Sequence, residues 1–271
     1  MGIPPEVAAF YNEGKEADRL FAGLGLLEFA RMQEIVPRFL PPAPAAVADI
    51  GGGPGTYACW LATSGYVVHL VDPVPLHVAQ AEQASSRQPD HPIASCSVGD
   101  ARSLSLADAS VDAVLMHGPL YHLTAREDRL VALREAGRIL RPGGVLLGVA
   151  ITVYASTIVG LVRGWVWDDA YLGMVREEIA TGQHRRPPDW QVFTTSFFHH
   201  PAGLAEELTA VGLQHVVTLG IQGPSWLVPD FERSWQDSSR REILMQIARL
   251  VEQEPAHSPH MVAVARKRPE R

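Results

Sequence analysis

"VADIGGGPGTYACWLATSGYVVHLVDP", Val47 to Pro73, sets an apolar run directly against four glycines and a proline, and closes the next apolar run on an aspartate, Asp72. The pattern predicts a strand over Ala46–Ile50, a loop over Gly51–Gly55, a helix over Tyr57–Ser64 and a second strand over Tyr66–Val71. A strand that ends in a glycine-rich turn and feeds a helix presents unpaired backbone N–H groups and a positive dipole end, and glycine lets a ligand approach the backbone closely. About twenty residues after Gly51, Asp72 is placed to accept hydrogen bonds from both hydroxyls of a ribose. Loop and carboxylate together bracket a nucleoside. The competing reading is a plain connecting turn, with Asp72 capping the helix that follows.

Outward from this unit the alternation continues with a helix over Leu76–Ser85, strands over Ile93–Val98 and Val111–His117, a helix over Ala125–Leu140, the turn Arg141-Pro142-Gly143-Gly144 and a strand over Val145–Ile151. Strands that alternate with helices and are apolar on both faces imply a parallel sheet covered on both sides, a doubly wound α/β fold. Upstream, Phe21 to Phe39 carries helical spacing and stops at the breaker Pro41-Pro42-Ala43-Pro44, so residues 1–42 read as an N-terminal helical lid on a core over 43–152. Beyond Thr152 the alternation fails, and the aromatic-rich stretch Tyr154–Phe198 predicts a helical cap over 153–199. The core resumes over 200–271, with a helix from Pro201 to Val211 ended by Gly212, strands over Gln214–Ile221 and His260–Lys267, and a charged helical stretch over Phe231–Gln253.

Composition narrows the partners. With 271 residues, 46% hydrophobic and 20% charged, the chain can bury one sizeable α/β core. A net charge of -7 with no Lys/Arg stripe argues against nucleic acid; the basic end Arg266 to Arg271 reads as a solvated terminus. Cys59 and Cys96 form neither a disulfide framework nor a zinc spacing, and no signal-like start is visible, so a reducing, cytoplasmic setting is expected. No apolar run approaches the roughly 18 residues of a membrane span.

The segment "DIGGGPG" at Asp49–Gly55 resembles motif I of the class I S-adenosylmethionine-dependent methyltransferases. Three further segments are similar to the same family in the same order: Asp72 at the end of strand two, "GDARSLSLADASVDAVLMHGPLYHL" at Gly99–Leu123, and "ILRPGGVLLG" at Ile139–Gly148. The likeness runs from Ala46 to Ile151 and implies a seven-stranded, mostly parallel, Rossmann-like sheet closed by an antiparallel strand. It also implies S-adenosylmethionine as cofactor. Gly51 and Gly53 would lie against its methionine portion, with Asp49 near the ammonium and Asp72 on the ribose. Val74 would pack on the adenine, Asp100 would accept from the adenine amino group, and the Ala101 N–H would meet a ring nitrogen. His117 would lend its carbonyl to the methionine end. Gly55 and Pro73 complete the cofactor-binding set. In "YNEGKEADRL", Tyr11 and Arg19 would close the site; alternatively Tyr11 packs in an apolar seam and Arg19 pairs with Glu16, and Asp100 is a plain turn residue. NAD is the competing cofactor, disfavoured because Thr56 stands where the G-x-G-x-x-G fingerprint counted from Gly51 needs its third glycine.

Methyl transfer from a sulfonium is an in-line displacement, in which the protein mainly aligns the partners and excludes water. Where the acceptor must lose a proton, "HGPLYHL" supplies His117, Tyr121 and His122 at the carboxyl end of the fourth strand, with His122 preferred as base and His199 a further candidate. A wall histidine is the alternative for each. No metal is expected. Trp165, Trp167, Tyr171, Phe197 and Trp226 are candidates to line an apolar acceptor pocket, which predicts a small aromatic or heterocyclic acceptor methylated at N, O or C. The expected assembly is a monomer or homodimer, and the alternative outside catalysis is a non-catalytic S-adenosylmethionine-binding module.

Overall fold

A computed structural model describes residues 5–12, 14–190 and 192–269. The chain runs through α1 (Pro5–Asn12), a 3-10 turn (Lys15–Phe21), α2 (Leu24–Ile35), β1 (Ala46–Ile50), α3 (Thr56–Thr63), β2 (Val67–Asp72), α4 (Pro75–Ser86), β3 (Ser95–Val98), β4 (Val111–His117), α5 (Pro119–His122), α6 (Arg126–Ile139) and β5 (Leu140–Ile151). Then follow α7 (Ala155–Arg163), α8 (Asp169–Thr181), β6 (Gln183–His184), β7 (Ser196–Phe197), α9 (Pro201–Ala210), β8 (Gln214–Gly220), α10 (Phe231–Gln236), α11 (Ser238–Leu250) and β9 (His260–Arg266).

Seven strands form one sheet in the order β3-β2-β1-β4-β5-β9-β8. The first five are parallel, and β9 runs antiparallel to both β5 and β8. This is the expected doubly wound architecture with its antiparallel closing strand. Side chains alternate between the two faces along each strand. Val47 and Leu115 pack with Met32, Ile35 and Leu61 on one side; Ala48, Val114 and Met116 pack with Leu133, Ala136 and Leu204 on the other. The strand order reverses between β1 and β4, which opens a crevice at their carboxyl ends, where such sheets bind ligands.

Three elements differ from the expectation. The helix over Phe21–Phe39 starts only at Leu24, because Gly23 sits at φ +51° and a Cβ on Gly25 would fall 1.9 Å from the Arg19 carbonyl oxygen. The charged stretch over Phe231–Gln253 is two helices, parted at Asp237, whose carboxylate accepts from the Ser239 and Arg240 N–H groups and caps α11. The turn at 141–144 lies inside β5. Among the described residues no helix is long and apolar enough to cross a membrane.

Candidate active site

At the reversal point lies a cavity of about 190 Å³, walled by the loop after β1, the end of β2, the loop after β3 and the end of β4. Of the residues expected to bind a cofactor, Tyr11, Arg19, Gly51, Gly53, Asp72, Pro73, Val74, Asp100, Ala101 and His117 all line it. Asp72 is only 4% exposed. Its Oδ2 accepts from Gly53 N–H at 2.9 Å, and its Oδ1 from Val74 N–H at 2.9 Å and from His77 Nδ1 at 3.1 Å. One carboxylate therefore ties the glycine loop to the start of α4.

The glycines serve different ends. A Cβ on Gly51 would lie 2.5 Å from the His117 carbonyl oxygen and 2.6 Å from Pro119, and one on Gly55 would lie 2.9 Å from Ala81; both positions have positive φ. They let protein approach protein. Gly53, at φ +54°, faces open space, with only Glu16 as near as 3.9 Å, so it is the glycine that leaves room for a ligand. Gly51→Ala is expected to cost about 2–4 kcal/mol, from a left-handed backbone and an overpacked strand crossing; denaturant unfolding within 1 kcal/mol of the parent would refute this.

Two expected cofactor ligands are displaced from the cavity. Gly55 is turned into the α4 contact. Asp49 is fully buried beneath the loop, with neither carboxylate oxygen hydrogen-bonded, and a Cβ on Gly52 would press on it at 2.8 Å. Burial, reinforced by the charge of Asp72, pushes Asp49 up to about 7. Asp100 is a turn residue, its Oδ1 accepting from the Arg102 N–H and its carbonyl from the Ser103 N–H at 2.9 Å each, and it is ion-paired as well. Arg102 holds its carboxylate at 2.6–3.3 Å and also reaches Asp128 at 2.9 Å, and these bonds outweigh burial and lower its pKa.

In the N-terminal segment Arg19 makes the pairing with Glu16, and Arg19 and Tyr11 both line the cavity. Arg19 donates to Glu16 at 2.6 Å and to both oxygens of buried Glu28 at 3.0 and 2.9 Å, and it still lines the cavity. The Tyr11 hydroxyl lies 2.6 Å from His122 Nε2. Burial lowers His122 to about 3, and lowers His117 to about 3 although the Glu28 carboxylate stands 3.4 Å away. Both imidazoles are neutral at physiological pH. Burial raises Tyr11 and Tyr121, so both keep their protons.

A second cavity, about 320 Å³, shares Tyr11, Glu16, Arg19 and Tyr121 with the first. Its wall is mostly apolar, from Leu24, Ile151, Val159, Met174, Val192, Phe193 and Phe198, with Ser156, His184 and His260 as polar points. Trp165 and Tyr171 line it as expected. Three other aromatic candidates do not. Trp167 is 87% exposed, because the 3-10 turn 165–167 carries it outward. Phe197 lies under the Arg129 guanidinium at 3.6 Å, and Trp226 packs in a separate apolar cluster with Leu27 and Trp235. His199 is also corrected: it is buried against Glu207 at 3.3 Å and lines neither cavity. His122 lines only the first cavity, whereas Tyr11 faces both.

Several functional groups escaped the sequence reading. Glu28 is 1% exposed and sits within 3.4 Å of Arg19, His117, His260 and Gln222. Its signal was a lone carboxylate inside the apolar run "GLLEFARM". The buried pair His184 and Glu178, and the ring of Phe193, carried none. Around the first cavity His77 Nε2, both His117 nitrogens, the Tyr57 hydroxyl and His122 Nδ1 are buried without hydrogen-bond partners. Buried polar atoms ordinarily find partners. A ligand rich in hydroxyl, amino and carboxylate groups fits this set, and the open face of Gly53 gives it room.

Residues 48–148, with this fold, glycine loop and strand-end carboxylate, match the model of the family described as "Methyltransferase domain", in the region that resembles the class I S-adenosylmethionine-dependent methyltransferases. S-adenosylmethionine is the cofactor of this class. Among curated relatives, the chain is 30% identical over 166 residues to the ubiquinone/menaquinone biosynthesis C-methyltransferase UbiE of Rubrivivax gelatinosus, covering 56% of this chain and 61% of that one. The chain thus spans less than two thirds of the curated relative it matches. Among solved structures, an S-adenosylmethionine-dependent methyltransferase of Methanosarcina mazei superposes with a TM-score of 0.60 at 20% identity, over 87% of this chain and 98% of that one. The [4+2]-cyclase SpnF superposes at 0.57 and 17% identity, over 90% and 82%. These likenesses show a shared fold.

Proposed function

We propose that the protein transfers the methyl group of S-adenosylmethionine to a small, largely apolar acceptor of aromatic or heterocyclic type, bound in the second cavity. The observation that carries this reading is the wall the two cavities share, Tyr11, Glu16, Arg19 and Tyr121: a donor in one lies next to an acceptor in the other. Residues 1–42 act as a lid on the cofactor side, and 153–199 as the cap over the acceptor.

The cofactor supplies a methyl group already activated on a sulfonium. Of the cavity's lining, Asp72 would hold the ribose, Val74, Ala101 and Asp100 would receive the adenine, and Gly51, Gly53 and the His117 carbonyl would receive the methionine end. Apolar walls exclude water from the second cavity, which favours an in-line approach over hydrolysis. The acceptor's proton leaves through the Tyr11 hydroxyl to His122 Nε2, since Tyr11 alone of the two faces the acceptor cavity. A base held near 3 is weak. It suits an acceptor that sheds its proton after methylation, when the cationic product is itself acidic.

Calorimetric titration with S-adenosylhomocysteine, run beside NAD(H), tests the cofactor half. Micromolar affinity for the thioether alone is expected; preference for NAD(H) would overturn it. Asp72→Ala should weaken S-adenosylhomocysteine by about 1–3 kcal/mol through lost charged hydrogen bonds; unchanged affinity would remove Asp72 from the ribose. Product detection by mass spectrometry over a panel of aromatic and heterocyclic acceptors tests the other half, and turnover confined to charged, non-aromatic acceptors would reject it.

A further inference from the structure

Most of Asp72's capacity is already in use. Three protein donors, Gly53 N–H, Val74 N–H and His77 Nδ1, occupy its two oxygens. A carboxylate offers about four lone-pair sites, so one remains, whereas the ribose of adenosine presents two adjacent hydroxyls. A second acceptor is required beside Asp72.

His77, in the first turn of α4, meets that requirement. It is 3% exposed, lines the cofactor cavity, and has the Tyr11 ring edge-on against it at 5.2 Å. In the neutral imidazole, Nδ1, which faces a carboxylate that only accepts, carries the proton, and Nε2 carries the lone pair. That Nε2 is buried with no partner. We propose that His77 Nε2 is the second ribose acceptor, so that Asp72 takes one hydroxyl of the cofactor and His77 the other. The assignment deepens the methyltransferase reading and rests on it. His77 is thereby a cofactor-binding residue as well as a prop for Asp72.

The two roles separate with His77→Asn and ligands lacking one hydroxyl. The asparagine amide nitrogen stands in for Nδ1 and keeps the bond to Asp72, while nothing replaces Nε2. Calorimetry should show S-adenosylhomocysteine binding about three- to tenfold weaker to His77→Asn and to His77→Phe, the worth of one net hydrogen bond. On the parent protein the 2′-deoxy and 3′-deoxy forms of S-adenosylhomocysteine should each lose affinity; on His77→Asn one of the two should bind no worse than the full ligand. Parent-like affinity of His77→Asn, or an equal penalty for both deoxy ligands on parent and variant, would overturn the assignment. Failure of the parent to bind S-adenosylhomocysteine at all would overturn the cofactor reading, and this assignment with it. Melting temperatures within a few degrees of the parent establish that the variants fold, and His77→Asn carries the test if His77→Phe does not.

Discussion

Arg129→Ala is expected to destabilise the fold by about 3–5 kcal/mol, the usual cost of leaving a buried charge without its partner. Arg129 is 1% exposed and sits where three elements meet. From α6 it donates to Glu207 of α9 at 2.7–3.2 Å, and to the Leu123 and Thr124 carbonyls at 3.0 Å each. Its guanidinium also covers Phe197 of β7 at 3.6 Å. Glu207 is held at about 2 against the opposing pull of burial, by hydrogen bonds from His199 and Arg129. Without Arg129 that carboxylate stays buried beside His199, and the two carbonyls following His122 lose their donor. Guanidinium unfolding should show the loss, together with a fall in Tm of about 10 °C. A change below about 1 kcal/mol would mean that water or a relaxed loop takes over. Arg129→Met combined with Glu207→Leu should recover much of the loss, because it removes both charges.

The second large effect is on acid stability. His117 and His122 are both held near 3 in the fold, against an ordinary value of about 6.5 in the unfolded chain. Between pH 7 and 5 the unfolded chain takes up protons that the folded one does not, so stability falls as pH falls. The contribution is complete above about 6.5 and drains away toward 3. By pH 5 a fully buried histidine of this kind costs about 2 kcal/mol, and the two together about 2–4, since His122 is only half-buried. Glu28 and Glu207, both held near 2, act in a lower window, from about 4.5 downward. Asp49, pushed up to about 7, works in the opposite sense over the same window, because the fold takes up its proton before the unfolded chain does; unfolding free energies at pH 7, 6 and 5 therefore read the histidine effect as the difference between the parent and His117→Phe. His117→Phe should remove a loss of about 2 kcal/mol between pH 7 and 5, and parallel pH profiles for parent and variant would show that the His117 imidazole is hydrated.

Adjacent stretches of chain differed in how legible they were. The strand, loop and helix from Ala46 to Thr63, with Asp72 at the next strand end, were readable because each element declares itself locally through apolar period, glycine and proline. The pocket aromatics were not. Trp165 and Trp167 stand two residues apart in one turn, yet one lines the second cavity and the other is exposed. Nothing in the composition of "GWVW" distinguishes them, since the direction of a 3-10 turn is set by what packs beneath it. His199 failed for a related reason. Its neighbours Glu207 and Arg129 lie 8 and 70 positions away and convert a candidate base into part of a buried ion cluster.

By itself, the sequence determined the layered α/β architecture, the glycine loop after the first strand and the position of the Asp72 carboxylate at the end of the second, because backbone periodicity, glycine stereochemistry and strand-end placement are local properties. Tertiary structure alone decided which side chains face which cavity. It set Tyr11 against His122 across 111 residues, brought Glu28 under Arg19, His117 and His260, and left His77 with one nitrogen spent and one free. Such contacts depend on burial and on the meeting of distant elements, which are long-range consequences of packing that no local pattern encodes.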